Sequence, residues 1–118
     1  MKYIIKNNDG QYEFDVRTLK NSEKIIEFKD PLEKNTVLTF NIIDKDELEF
    51  VRQSKTSYMR LNLKKDKFLE GKYKIEGYEF KIHAKCIELE INENLISFQY
   101  KLFLNYQLEN NLSIEIIK

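Results

Sequence analysis

One cysteine, one proline and three glycines are spread over 118 residues, and the 20 basic side chains meet 20 acidic ones. Each scarcity excludes something. With Cys86 alone, no intramolecular disulfide can form, so nothing demands an oxidising compartment and a cytoplasmic location is expected. The glycines and the proline are too scattered to build a linker, and no repeat interrupts the pattern, so residues 1–118 read as one domain. A chain of this length can remove roughly two-thirds of its unfolded surface from water, enough for a core without staples. The zero net charge argues against a general binder of nucleic acid or anionic membranes, because those partners select a basic surface that releases counterions. Local patches remain open. No stretch approaches the roughly 20 apolar residues of a membrane helix. The apolar run Tyr3 to Ile5 is too short for a signal peptide, and no membrane contact is expected.

What the chain has in abundance is alternation of apolar and polar residues, which sends successive side chains to opposite faces of a strand. From Leu95 to Leu108 the even positions Ile96, Phe98, Tyr100, Leu102, Leu104, Tyr106 and Leu108 are apolar or aromatic, which predicts one long, curved strand. Before it, Tyr78, Phe80, Ile82, Ala84 and Cys86 alternate with Glu79, Lys81, His83 and Lys85, and then the apolar set shifts phase to Ile87, Leu89 and Ile91. A phase shift without a turn residue predicts a bulge near Cys86. Shorter segments obey the same rule, among them Leu38, Phe40, Ile42 and Met59, Leu61, Leu63. Turn chemistry separates them at Asn8-Asp9-Gly10, Asp30-Pro31, Lys64 to Asp66, Glu76-Gly77, Asn92 to Asn94 and Asn110-Asn111. Asp44 to Gln53 is ambiguous: Asp44 and Glu47 fit a helix capping box, while Leu48 and Phe50 keep the sheet pattern, which tips the reading to strand. The expectation is an all-β antiparallel meander of 8–10 strands with little or no helix, its edges hidden by closing, or nearly closing, into a barrel.

The Val51-Arg52 pair at a strand end, Gly71-Lys72-Tyr73 opening the next hairpin, Gly77 in its turn, and the pairing of Ile96–Leu104 with Ser113–Ile116 carry a family likeness. From Phe50 to Ile116 the chain resembles the YwiB-like family of small bacterial proteins of unknown function. The resemblance implies a calycin-like, lipocalin-related β-barrel and no particular activity or cofactor.

Enzyme signatures are sparse. His83, the lone histidine, shares parity with Lys81 and Lys85, opposite Cys86. On a strand that separation defeats both a metal pair and a Cys-His nucleophile, so a solvated histidine and a packed, inert thiol are expected, with no metal site. Isolated glycines make no phosphate loop. Arg52 breaks the pattern, sharing parity with Leu48 and Phe50 and so pointing into the apolar side. A guanidinium there needs a carboxylate, carbonyls, phenols, water or an anionic ligand. Either Arg52 plugs the barrel end against an acidic or backbone group, or it anchors a ligand together with the inward-parity tyrosines Tyr73, Tyr78, Tyr100 and Tyr106. In lipocalin-like barrels an inward arginine and tyrosine grip the carboxylate of an apolar ligand, and the resemblance extends to that arrangement. The expected partner is a small apolar or amphipathic, potentially anionic, molecule.

An eight-stranded barrel has room for its own side chains or one small ligand. With Phe14, Phe28, Phe40, Phe50, Phe80 and Phe98 offered to the interior against the small Ala84 and Cys86, a filled core or narrow cavity is expected. The alternative function is an interaction module contacting protein or RNA through an outer face at residues 60–74, where Arg60, Lys64, Lys65, Lys67, Lys72 and Lys74 surround Phe68 and Tyr73. Asp66, Glu70 and Glu76 dilute that field. Outward Leu19, Val37 and Phe103 could serve a homodimer.

Overall fold

The computed structural model describes every residue from Met1 to Lys118. It contains strands only: β1 (Lys2–Asn7), β2 (Gly10–Asp15), β3 (Thr18–Asn21), β4 (Ile25–Lys29), β5 (Val37–Asp44), β6 (Glu47–Gln53), β7 (Ser57–Lys64), β8 (Phe68–Ile75), β9 (Tyr78–Ile91), β10 (Leu95–Leu104) and β11 (Gln107–Ile117). No helix is long and apolar enough to cross a membrane. All eleven strands form one sheet in the order β2-β1-β11-β10-β9-β8-β7-β6-β5-β4-β3, and every pairing is antiparallel.

The sheet curls into a half-barrel. Its terminal strands β2 and β3 do not pair. They are nevertheless consecutive in the chain, joined through Val16 and Arg17, so the two ends of the curl are tied covalently rather than by a ladder. Side chains complete the enclosure: Tyr3 of β1 meets Phe28 of β4 at 5.0 Å between ring centroids.

Alternation decides which side is dry. Leu38 and Phe40, Leu48 and Phe50, and Leu61 and Leu63 are all buried while their sequence neighbours are not. Phe40 stacks on Phe50 at 4.9 Å, and Phe98 closes on both at 6.1 and 6.0 Å. Burying a side chain of this size contributes about 1.5–3 kcal/mol. The bulge expected near Cys86 is present: Gln99 pairs with Glu88 but Tyr100 pairs with Cys86, leaving Ile87 over. Asp44 to Gln53 is strand apart from the Lys45-Asp46 turn, so Asp44 and Glu47 end a hairpin rather than cap a helix.

The strands number eleven rather than the expected 8–10, and three further readings of the sequence are corrected. Leu95 to Leu108 is not one strand, since β10 and β11 meet at a two-residue turn, Asn105-Tyr106, with φ of +50° and +65°. Asn110-Asn111, expected to turn, instead lies within β11 opposite Leu102 and Lys101. Such a turn reverses which numerical parity faces inward. A bulge that leaves Glu109 between the Leu102–Asn110 and Phe103–Leu108 pairs reverses it again, so the even-numbered stripe looks unbroken. The last concerns the β8–β9 hairpin, which outruns β10: the β10 ladder stops at Leu104–Ile82. Phe80, expected inside, is therefore 38% exposed and Tyr78 73% exposed.

Candidate ligand-binding site

At one end of the half-barrel lies a cavity of about 250 Å³ whose lining is ten parts hydrophobic in thirteen. Tyr3 and Ile5 come from β1, Leu38 from β5, Phe50 and Arg52 from β6, Met59 from β7, Tyr100 and Leu102 from β10, and Leu112 and Ile114 from β11, with Asn110 and the Asp30–Leu32 loop at the rim. Larger depressions of about 330 and 650 Å³ exist, but polar and charged side chains dominate their walls. An apolar surface with few polar groups is what favours a small molecule over bulk water.

Arg52 provides the polar end. Its inward parity is real: it sits between Leu38 of β5 and Met59 of β7 in the ladders. The guanidinium meets two carboxylates from the loop after β4, with Nε 3.6 Å from Asp30 Oδ2 and Nη2 paired to Glu33. Asp30 is fixed in turn, its Oδ1 accepting from the Leu32 amide at 2.9 Å and its own amide donating to the Thr36 carbonyl at 2.9 Å. One cation faces two anions, so the rim carries a net negative charge.

Two phenols sit at this end, and no protein hydrogen bond takes up either of them. Tyr3 and Tyr100 are buried yet line the cavity, and neither oxygen is among the sealed, unpartnered polar atoms. Burial pushes both phenols well above the ordinary tyrosine range; Asp30 adds to this at Tyr3, while Arg52 opposes it at both. They therefore stay protonated and offer O–H donors to the cavity.

The tyrosines expected to gather around Arg52 are mostly elsewhere. Only Tyr100 lines the cavity. Tyr73 is half-buried with its ring 5.9 Å from Phe80, Tyr78 lies on the overhanging hairpin, and Tyr106 occupies the β10–β11 turn, where strand parity has no meaning. Tyr3 was not anticipated, although its alternation with Ile5 against Lys2 and Lys6 carries the signal.

His83 also departs from expectation. It faces outward, opposite to Cys86, yet is only 7% exposed, because Phe68 stacks on it at 4.6 Å and Tyr106 covers it at 4.8 Å. Its Nδ1 has no partner. Cys86 is buried, its thiol donates to the Glu88 carbonyl at 3.4 Å, and burial pushes it up to about 11. No group of three or more His, Cys, Asp or Glu side chains is placed to hold a metal. The basic stretch 60–74 is split by the sheet: Tyr73, opposite Met59, packs toward the core, while Phe68, Lys72 and Lys74 alternate to the convex face.

No curated protein and no solved structure matches the chain. A family model does, covering residues 2–116, and the chain therefore belongs to the family described as Domain of unknown function (DUF1934).

Proposed function

We propose that this protein is a small, non-catalytic binding protein that holds a compact molecule, apolar in body with one neutral polar group, in the cavity between Tyr3, Tyr100 and Arg52. The supporting observation is the pair of phenols, Tyr3 and Tyr100, whose O–H groups bond no protein acceptor and open onto an apolar cavity of about 250 Å³. Both hydroxyls stay protonated and face the cavity as donors, a few fixed polar groups on an otherwise apolar lining. A ligand carbonyl or hydroxyl accepting from Tyr3 and Tyr100 would be oriented by them while its apolar body fills the cavity. An apolar cavity of ~150 Å³ is already large enough to hold benzene.

The arrangement is close to that of the calycin-like barrels which the YwiB-like resemblance implies, with one difference in charge. Asp30 and Glu33 already take up Arg52, so a ligand carboxylate would meet a net negative rim. A neutral head group fits better than an anionic one. A cytoplasmic bacterial setting belongs to the same proposal, and a single thiol is compatible with it.

Displacement of an environment-sensitive dye, 1-anilinonaphthalene-8-sulfonate, by medium-chain ketones, alcohols and carboxylates tests the reading. Ketones and alcohols should compete, the matched carboxylate should compete less well, and Tyr100→Phe should weaken the ketone about tenfold. Equal or better competition by the carboxylate, or no competition by any of them, would overturn it.

A further inference from the structure

We infer that the convex face of the sheet around Phe68, His83, Phe103 and Tyr106 binds single-stranded nucleic acid, a role separate from the concave cavity and independent of it. The solvated face of an antiparallel sheet normally carries polar side chains. Here Phe68 begins β8, His83 lies within β9 and Phe103 nears the end of β10, and the ladders bring them together: Phe103 is opposite His83, and Phe68 is opposite Lys85. The rings touch, at 4.6 Å for Phe68–His83, 5.2 Å for Phe68–Phe103 and 4.8 Å for His83–Tyr106. Phe68 remains 44% and Tyr106 60% exposed, and Leu108, paired with Phe103, is 51% exposed.

Positive charge predominates around this cluster. Lys72 pairs with Lys81 and Lys85 pairs with Lys101 on the same face, where Glu70 lies opposite His83 and Glu79 opposite Lys74. None of these lysines forms a salt bridge, although the chain has as many carboxylates as cations. Lys81 Nζ instead lies 5.1 Å over the Tyr106 ring. Lys85 Nζ donates to the Asp66 carbonyl at 2.8 Å, and Lys72, Lys74, Lys81, Lys85 and Lys101 still outnumber Glu70 and Glu79 beside the exposed rings. Tyr106 is held at φ +65°, a conformation that bulky residues avoid and that a hairpin of this length would normally give to glycine.

The chemistry of the face selects its occupant. A second copy docked through the same face would bring lysines onto lysines. An acidic peptide would satisfy the lysines and leave the rings and Leu108 uncovered. Single-stranded nucleic acid supplies both complements, phosphates for the ammonium groups and flat bases for the aromatic surface.

Fluorescence anisotropy with a labelled oligouridylate of roughly ten nucleotides tests this, within the usual site sizes. Binding should appear at about 50 mM salt, with log affinity falling about 0.7 per neutralised phosphate against log salt. Tyr106→Gly suits the turn, so the fold is retained while affinity drops about tenfold through the lost ring. Lys81→Glu with Lys101→Glu should abolish binding, whereas Lys20→Glu with Lys24→Glu, at the β3–β4 hairpin across the sheet, should leave it unchanged. Absence of binding, indifference to Tyr106→Gly in folded protein, or equal competition by polyglutamate of matched length would overturn the inference, the last by assigning the face to acidic protein segments.

Discussion

Arg52 and Asp30 form an unequal ion pair: the Asp30 side chain is 6% exposed, whereas the Arg52 side chain that faces it is 37% exposed. The anion, not the cation, is the buried member. Removing Arg52 therefore leaves a carboxylate locked in the loop by its bond from the Leu32 amide with no countercharge nearby.

Arg52→Ala should destabilise the protein by about 2 kcal/mol, less than the 3–5 kcal/mol of a wholly buried pair because water screens the exposed guanidinium. Asp30→Asn keeps the oxygen that accepts from Leu32, so adding it to Arg52→Ala should recover part of the loss. Urea unfolding of the single and double variants measures the coupling, expected at about 1 kcal/mol. Strictly additive losses would mean that the pair contributes nothing.

Gly71 tests how closely β7 and β8 approach. A Cβ there would collide with the Arg60 carbonyl oxygen, which is backbone and cannot swing away, with Leu61 and Ile82 side chains at 3.2 and 3.3 Å. The β7–β8 ladder ends at the neighbouring Arg60–Lys72 pair, so the strands must part to admit a methyl group. Gly71→Ala should lose roughly 1–3 kcal/mol by overpacking. Gly77→Ala meets open space and suffers only from its φ of +86°, a penalty of roughly 1–2 kcal/mol. Midpoints of urea unfolding for the two variants compare a steric penalty with a conformational one.

The sheet was legible because a one-sided sheet writes its dry face into every second residue. Leu38 with Phe40 and Leu61 with Leu63 say as much without coordinates, and the bulge at Ile87 showed as a phase shift. The same code located the inward Arg52. It failed where two reversals cancelled: the turn at Asn105-Tyr106 and the bulge at Glu109 together kept the even stripe running, which hid a hairpin and misplaced Tyr106. Parity also says nothing of where a strand loses its neighbour, so Tyr78 and Phe80 carried inward parity onto an overhang. The partners of Arg52 were out of reach for a different reason, since Asp30 and Glu33 sit in a loop that no period governs.

Alkaline pH should weaken the fold in two stages. An unfolded cysteine loses its proton near pH ~8.5, whereas burial, helped by the nearby Asp66 and Glu88, holds Cys86 up to about 11. Below the lower value both states keep the proton and the full stability is present. Between the two the unfolded chain ionises first, so stability falls by roughly 3 kcal/mol as pH rises toward the folded value. Tyr3 and Tyr100, also raised by burial, extend the loss upward from pH ~10. Cys86→Ala should flatten the first stage and spare the second, read from urea unfolding between pH ~8 and ~11. In the wild-type protein the thiol should resist aromatic disulfide reagents until the chain unfolds.

Filling the cavity should separate stability from binding. Leu102 lines it from β10, half-buried and opposite Ala84 and Asn110, so a larger side chain can grow into vacant volume rather than into packed neighbours. Leu102→Phe should raise stability by about 1 kcal/mol, as cavity-filling substitutions commonly do. The same ring would stand where the proposed ligand's apolar body lies and should abolish ketone displacement of the dye. Opposite signs in the two measurements are the expected outcome. A destabilised Leu102→Phe would show that the space is already committed to packing, and unchanged ketone affinity in a stable variant would move the binding site away from Tyr3 and Tyr100.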